Sequence, residues 1–270
     1  MDSRLGRQLA TGSRSAVFAW GRDAVAKVPF ASTPEGWIRF EAQYTAAVHD
    51  AGAPAPRLLG IETVGGRAAS IYERVRGRSM WQHMLDHPLQ IAAHAKALAE
   101  LQIHLFSLVP PVSLPAQRDR LTSKIRAASR RVDPSLTEAL GCIPDTGTTR
   151  LCHGDLHPGN VIIASDGPVI IDWFDVSRGD QVADIARTSL LMSARSHGPE
   201  GPSHLPGASR DALDRARRCY LDAVSDLTSG PDDVRRWEAV VAVARLAEGV
   251  APAELLAIWH EWRSGCVEVR

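Results

Sequence analysis

Apolar residues follow two different spacings along the chain, and the change falls near residue 75. In the first part, apolar and polar residues alternate over short stretches, which is typical of strands. Five strands are predicted from this alternation: 7–10, 15–20, 24–29, 57–64 and 67–75. Glycines separate several of them, and the pair Gly65-Gly66 predicts a tight hairpin between the last two.

One helix is predicted between the third and the fourth strand. Hydroxyl residues followed by proline at 32–35 suit a helix start with a side-chain cap, and Gly52 suits its end. The large apolar residues recur at helical spacing and predict the buried face: Trp37, Phe40, Tyr44, Ala47 and Val48. Glu41 falls on the same face, and a buried carboxylate requires a partner of opposite charge.

From Ser79 onward the spacing becomes helical. Alanine and leucine recur at helical intervals over 91–108, and two prolines follow. Two short strands are predicted at 161–164 and 169–172, and further helices are predicted in the last third.

The two spacings predict an α+β chain with two parts. Residues 1–75 are expected to form a five-stranded sheet with one helix, and residues 76–270 a larger, mostly helical part. A chain of 270 residues is long enough to bury a good core in this arrangement.

Composition excludes several classes of partner. Lys plus Arg and Asp plus Glu both number 31, so no net charge draws the chain to nucleic acid or to an anionic membrane. No apolar run reaches the roughly 18 residues of a membrane span, and the first residues lack the apolar core of a signal peptide. The four cysteines are scattered, which favours reduced thiols and a cytoplasmic location.

The most informative stretch is 153–160, which reads His-Gly-Asp-Leu-His-Pro-Gly-Asn. Within it Asp155 precedes Asn160, and Asp172 follows at the end of a predicted strand. Phosphoryl transfer requires a group that orients the attacking hydroxyl and oxygen ligands for the metal that neutralises the phosphates. Asp155 suits the role of catalytic base, and Asn160 and Asp172 suit the role of Mg²⁺ ligands.

Residues 151–162, which contain this motif, resemble the catalytic loop of the aminoglycoside phosphotransferase and choline kinase group. These proteins are small-molecule kinases with a protein-kinase-like fold, and glycine replaces the arginine of the protein-kinase motif, as at Gly154. The resemblance is most specific over 151–187, continues more weakly over 7–80 and fades after about residue 190. It implies a two-lobed protein-kinase-like fold that uses ATP, or GTP, together with Mg²⁺.

Lys27 lies in the stretch Ala-Val-Ala-Lys-Val-Pro at 24–29, which is similar to the kinase strand whose lysine grips the nucleotide phosphates. The apolar residues on both sides predict a largely buried strand. Glu41 is the expected partner of Lys27, and Glu35 at the start of the helix is the weaker alternative.

Two other segments are candidates for contacts with the nucleotide. Ser13 and Ser15 lie at the turn between the first two strands, where their hydroxyls would reach phosphate oxygens, although the turn has one glycine and also suits an ordinary hairpin. Residues 72–77 resemble the segment that joins the lobes in the family. That resemblance implies backbone contacts to adenine near Glu73 and Val75.

The resemblance implies an ATP-dependent kinase that transfers the γ-phosphoryl group to a hydroxyl of a small molecule. An aminoglycoside or another antibiotic is the expected acceptor, as in resistance enzymes, followed by amino alcohols, amino acids and sugars. No A-P-E segment follows Asp172, which argues against a protein kinase. Asp184 also matches a family position and is expected to cap or brace the helix that follows it.

Two alternatives lie outside this class. His153, Asp155 and His157 alternate, so on a strand they would share one face, as the ligands of a metal-dependent hydrolase do. Pro158 and Gly159 favour a loop instead. The other alternative is a catalytically idle nucleotide-binding module, and the presence of the key polar residues argues against it.

The last third of the chain is rich in acidic residues. Nine acidic residues stand against five arginines between Cys219 and Arg270. This excess predicts a cationic acceptor, on which Trp237, Trp259 and Trp262 would stack. A solvated helical face with the tryptophans in the core is the alternative. The sequence predicts no oligomeric state.

Overall fold

The computed structural model describes residues 4–197, 205–207, 209–250 and 252–267. The chain forms two compact units: Met1–Arg78 with Val161–Asp175, and Ser79–Asn160 with Val176–Arg270. The segment that carries Asp172 therefore belongs to the first unit, and the segment that carries Asp155 belongs to the second. The sequence-based division at residue 75 stays a prediction.

The first unit contains a five-stranded antiparallel sheet, as predicted. Its strands are β1 (Leu5–Thr11), β2 (Ser15–Trp20), β3 (Ala24–Pro29), β4 (Leu58–Val64) and β5 (Arg67–Glu73). They are ordered β1-β2-β3-β5-β4. Gly65 and Gly66 have φ angles of 58° and 80°, which the turn between β4 and β5 requires and which glycine adopts without strain.

Helix α1 (Glu35–Asp50) lies in the first unit. The predicted hydroxyl cap is wrong: Pro34 is the N-cap residue, and no side chain caps the helix. The hydroxyl of Thr33 instead donates to the carbonyl oxygen of Arg14 at 2.7 Å. The hydroxyl thus ties the turn between β1 and β2 to the start of α1.

The buried face of α1 is rotated relative to the prediction. Ile38, Ala42 and Val48 are buried, whereas 52% of Phe40 is exposed. Spacing alone does not separate these faces, because the helix carries apolar residues around most of its circumference. Glu41 is buried, as predicted.

A second sheet joins the strands β6 (Gly77–Ser79), β8 (Val161–Ala164) and β9 (Gly167–Ile170), in the order β6-β8-β9. A Cβ atom at Gly77 would lie 2.1 Å from the carbonyl oxygen of Ile163, so only glycine permits this approach of β6. Strand β9 ends two residues earlier than predicted.

The second unit is mostly helical, as predicted. Its helices are α2 (Met80–Asp86), α3 (Ile91–Ser107), α4 (Gln117–Arg131), α5 (Gln181–Leu191), α6 (Arg210–Ala223), α7 (Pro231–Arg245) and α8 (Pro252–Val267). A short sheet pairs β7 (Arg150–Cys152) with β10 (Ser177–Gly179). Within the described ranges, no helix is long and apolar enough to cross a membrane.

Helices α5 and α7 form the centre of the core of the second unit. They pack against each other, and α7 also packs against α4 and α8. All residues of α5 from Val182 to Leu191 are buried, including Asp184 and Arg187. Charged side chains in such a core require partners of opposite charge.

Candidate active site

The motif at 153–160 forms a loop between β7 and β8, not a strand. The Nδ1 atom of His153 accepts a hydrogen bond from the Asp155 amide at 3.2 Å, and Nδ1 of His157 accepts one from the Gly159 amide at 3.1 Å. The histidines thus shape the loop. In the described part of the chain, no group of three His, Cys, Asp or Glu side chains is arranged to hold a metal, so the metal-dependent hydrolase has no geometric support.

The amide group of Asn160 is oriented by the loop itself. Its Nδ2 atom donates to the backbone carbonyl of Asp155 at 3.0 Å and lies 3.5 Å from the carboxylate oxygen Oδ2. With the amide nitrogen turned inward, Asn160 offers its oxygen to a hard cation.

The backbone of the loop at 153–160 is held by Asp184 on α5. The carboxylate of Asp184 accepts hydrogen bonds from the amides of Gly154 at 2.7 Å and His153 at 3.1 Å, and from the Gln102 side chain at 2.9 Å. The cap of α5 is Asp180, whose side chain accepts from the Val182 amide. Asp184 therefore braces the loop and does not cap its own helix.

Asp155 forms an ion pair that was not predicted. Its Oδ1 atom lies 2.8 Å from Nη2 of Arg187, and the same Nη2 atom lies 3.1 Å from Oε2 of Glu248. Glu248 also contacts Lys124 at 3.0 Å and Arg245 at 3.6 Å. A sequence signal did exist, because Arg187 stands in a segment, 182–191, that is otherwise rich in apolar residues.

The cluster around Glu248 stays charged at neutral pH. Burial alone would raise the pKa of Glu248, but Arg187, Lys124 and Arg245 outweigh it and lower that pKa to about 2. Burial, together with the charge of Arg187, lowers the pKa of Arg245 to about 10, so Arg245 keeps its proton.

His157 is expected to make folding stability depend on pH. Burial lowers its pKa from 6.5 to about 4, so between these values the unfolded chain binds a proton that the folded chain does not. Its contribution is fully present above pH 6.5 and falls by about 3 kcal/mol as the pH drops to 4. Denaturant unfolding from pH 8 to pH 4 measures it.

His157→Asn is the matched variant, because its amide oxygen keeps an acceptor for the Gly159 amide and does not titrate. The difference in unfolding free energy between this variant and the wild type is expected to change across pH 6.5–4. The same substitution at exposed His104 is the control. Parallel pH curves for His157→Asn and the wild type would contradict the assignment.

In the first unit, Lys27 lies between two carboxylates. Its Nζ atom is 2.5 Å from Oε1 of Glu41 and 3.1 Å from Oδ1 of Asp172. The structure thus brings Lys27 and Glu41, predicted to serve the nucleotide phosphates, together with Asp172, predicted to bind Mg²⁺. The side chain of Glu35, the alternative partner, lies outside the described residues.

Lys27 is a permanent cation in this arrangement. Burial opposes the charge, but Asp172 and Glu41 outweigh that effect and raise the pKa of Lys27 above its ordinary value. Asp172 is the one non-glycine residue with positive φ among those described, at 66°. An aspartate tolerates this left-handed conformation better than most residues do, and such outliers cluster at functional sites.

Lys27 and Glu41 are expected to behave as a coupled pair. Glu41→Ala should leave Lys27 poorly oriented, so the double variant should have nearly the same kcat/KM as Lys27→Ala alone. Steady-state kinetics on the two single variants and the double variant measure the coupling.

Lys96 and Glu100 form an exposed pair on α3 and supply the control cycle. Alanine at these positions should leave kcat/KM unchanged. Strictly additive losses for Lys27 and Glu41 would show that the two side chains do not act together.

The turn between β1 and β2 is anchored by an aromatic stack. The rings of Trp37 and Phe174 stack with centroids 4.8 Å apart, and the Arg14 guanidinium lies 4.8 Å and 5.1 Å from their respective centroids. Ser13 is exposed in this turn, whereas Ser15 is buried at the start of β2. Ser13 is therefore better placed for a phosphate than Ser15.

The segment after β5 has part of its backbone already engaged. The Glu73 amide donates to the Arg57 carbonyl, and the Arg74 amide donates to the Asp23 carbonyl, both at 3.0 Å. The Glu73 amide is therefore already engaged, and the predicted adenine contacts near Glu73 and Val75 stay a prediction.

Three of the nine acidic residues after residue 219 pair with cations from earlier in the chain. Glu238 pairs with Arg217 at 2.8 Å, and Glu261 pairs with Arg195 at 2.6 Å. Glu248 belongs to the cluster described above, and Glu268 lies outside the described residues.

The tryptophans of this part lie mostly in the core. Trp237 and Trp259 are buried, and Trp262 is partly buried and stacks on Trp259 with ring centroids 5.7 Å apart. This agrees with the alternative interpretation, in which the tryptophans pack inside the helical part. The cationic acceptor stays a prediction.

The two predicted metal ligands each carry an oxygen of the kind that binds hard divalent cations. Asn160 has an amide oxygen, and Asp172 has a carboxylate whose Oδ1 contacts Lys27. Neutral and charged oxygen ligands of this kind are those that Mg²⁺ prefers.

The chain was compared with known protein sequences, solved structures and protein-family models. No curated protein sequence matches the chain. Among solved structures, an aminoglycoside phosphotransferase from Streptomyces rimosus shares 19% identity at a TM-score of 0.61, with 90% of this chain and 93% of that chain covered. The ternary complex of streptomycin, ATP and APH(2'')-IIa shares 16% identity at a TM-score of 0.57, with 94% and 92% covered.

A choline kinase from Cryptosporidium parvum Iowa II is similar at 12% identity and a TM-score of 0.56, with 100% of this chain and 91% of that chain covered. At such identities the likeness shows the fold, and it confirms the predicted protein-kinase-like architecture. The model of the phosphotransferase enzyme family, APH, matches residues 6–221. Because that match spans most of the chain and includes the loop of Asp155, the protein belongs to the phosphotransferase enzyme family.

Proposed function

We propose that the protein is a kinase that transfers the γ-phosphoryl group of ATP to a hydroxyl of a small molecule. The observation that carries the proposal is the position of Lys27 between Glu41 and Asp172. A lysine held by a helix glutamate, next to a metal-binding aspartate, is what kinase chemistry requires of a nucleotide site. A cytoplasmic location follows from the use of ATP.

Each polar residue has one role in this proposal. Asp155 takes the proton of the acceptor hydroxyl while the hydroxyl oxygen of the acceptor forms a bond to the γ-phosphorus. The bond between the γ-phosphorus and the β–γ bridging oxygen breaks, and ADP leaves. Lys27 neutralises phosphate oxygens, and Glu41 orients Lys27. Asn160 and Asp172 supply oxygen ligands to Mg²⁺, which when bound offsets the negative charge of the phosphates.

We propose an aminoglycoside or another antibiotic as the acceptor. The support is the sequence resemblance and the solved structure in which a similarly folded phosphotransferase holds streptomycin and ATP. Glu238, Glu248 and Glu261 are paired with cations, and the prediction of a cationic acceptor rests on the other acidic residues after Cys219. We keep a cationic acceptor as part of this proposal.

An acceptor screen tests the proposal. The purified protein is incubated with ATP or GTP, MgCl₂ and a panel of aminoglycosides, other antibiotics, amino alcohols, amino acids and sugars. ADP release and the gain of one phosphoryl group by the acceptor are measured together, with Asp155→Ala as the inactive control.

Acceptor-dependent ADP release with a phosphorylated product is the expected result. Tight nucleotide binding with no phosphorylated product from any acceptor would favour the idle nucleotide-binding module. If only a sugar or an amino alcohol is phosphorylated, the proposal of a small-molecule kinase stands and the proposal of an antibiotic acceptor is wrong.

A further inference from the structure

The carboxylate of Asp155 is not held by its own loop alone. Arg187, on helix α5, places Nη2 2.8 Å from Oδ1 of Asp155. The Arg187 side chain is 8% exposed and that of Asp155 is 26% exposed. The pair is therefore shielded enough for its geometry to matter, and Asp155 stays accessible to an acceptor.

Two other side chains near the Asp155 carboxylate lie farther from it than Arg187 does. The Asn160 amide is 3.5 Å from Oδ2, and its stronger hydrogen bond goes to the backbone. His157 is 4.0 Å from Oδ2 and is buried, which keeps it neutral at physiological pH. Arg245 and Glu248 act on Asp155 through the electric field and form their own pair. Arg187 is thus a cation in direct contact with the predicted base, at 2.8 Å.

Arg187 is itself fixed from the opposite side. Its Nη2 atom also contacts Glu248 at 3.1 Å, just beyond the end of α7. Glu248 is anchored in turn by Lys124 of α4 and by Arg245. The guanidinium is consequently held between two carboxylates and among packed helices, which restricts its rotamers far more than an exposed pair would.

We propose that Arg187 is a positioning residue for the catalytic base. By holding Oδ1, it fixes the Asp155 carboxylate so that Oδ2 is the oxygen presented to the acceptor hydroxyl. This inference rests on the proposed kinase function. Arg187 touches neither the acceptor nor the nucleotide in this role and acts through Asp155.

In phosphoryl transfer, the main contribution of the base is to orient the attacking hydroxyl. If the carboxylate could rotate freely, neither of its oxygens would be hydrogen-bonded to the acceptor hydroxyl for part of the time. Misplacement by about 1 Å can slow a reaction by about 10²-fold. Arg187 is therefore expected to affect kcat more than substrate binding.

Arg187→Met tests this role, because methionine keeps an apolar stem and removes the charge. We expect kcat to fall by about 10- to 100-fold, with the KM for ATP within about twofold of the wild type. Glu248 keeps Lys124 and Arg245 as partners, so the variant is expected to fold. Arg187→Lys should recover part of kcat, since one nitrogen atom of Arg187 makes both contacts.

The double variant Asp155→Ala/Arg187→Met separates positioning from a merely structural role. If Arg187 acts through Asp155, the double variant is no slower than Asp155→Ala alone. Arg217→Met is the matched control, because Arg217 forms a similar pair with Glu238 at 2.8 Å and does not contact Asp155. Its kcat should stay at the wild-type level.

Wild-type kcat in Arg187→Met, no recovery with lysine or a double variant clearly slower than Asp155→Ala would overturn the inference. A crystal structure of Arg187→Met gives a test that needs no turnover: Asp155 should leave its wild-type rotamer, and an unchanged rotamer contradicts the proposal. A wild-type protein that phosphorylates no acceptor would instead count against the proposed function.

Discussion

Asp155→Ala is expected to reduce kcat by about 10²–10⁴-fold, the range typical of general-base assistance. The affinity for ATP should survive, because Asp155 is assigned to the acceptor and not to the nucleotide. Steady-state kinetics with the best acceptor, together with calorimetry of ATP binding, measure the two effects separately.

Asp166→Ala is the matched control for this experiment. Asp166 is also an aspartate in a loop, but it lies in the exposed turn between β8 and β9 and accepts a hydrogen bond from Ser165. Its loss should leave kcat unchanged. A near-normal kcat in Asp155→Ala would remove Asp155 from the role of base.

Removal of the Asp172 carboxylate is expected to abolish the Mg²⁺-dependent part of nucleotide affinity. A bound metal stabilises phosphoryl transfer by several kcal/mol, so kcat/KM should fall by about 10³-fold. Calorimetry of ATP binding with and without MgCl₂ is the direct measurement.

The backbone of Asp172 decides which substitution is informative. At a φ of 66°, alanine would add strain of about 1–2 kcal/mol, whereas asparagine adopts this conformation readily. Asp172→Asn therefore removes the charge and keeps the turn, and Asp172→Ala reports the strain in addition. If Mg²⁺-linked affinity is unchanged in Asp172→Asn, the metal site is elsewhere.

What the sequence predicted well was local or carried by a motif. The hairpin at Gly65-Gly66 needs only the conformational freedom of two adjacent residues. The pair of Lys27 and Glu41 followed from a buried carboxylate on one element and a lysine between apolar residues on another. In both cases, few other arrangements meet the conformational or electrostatic requirements of the residues involved.

What the sequence did not predict depends on contacts between distant positions. Arg187 is 32 residues from Asp155 and 61 from Glu248, and no spacing rule links them. The count of acids after residue 219 was correct, but it took no account of the cations that α5 and α6 bring to them. The exposure of Phe40 had a different cause, because apolar residues on several sides of α1 leave its orientation to the packing.

The position of Glu248 limits which sequence changes the last helices can accept during evolution. Recognisable family similarity ends at residue 221, yet α7 begins at Pro231 and supplies the core that covers α5. A lineage that exchanged this stretch to accommodate a new acceptor would also have to rebuild the support of Arg187. Divergence of the last helices is thus constrained by the catalytic loop, even where sequence comparison no longer detects a relationship.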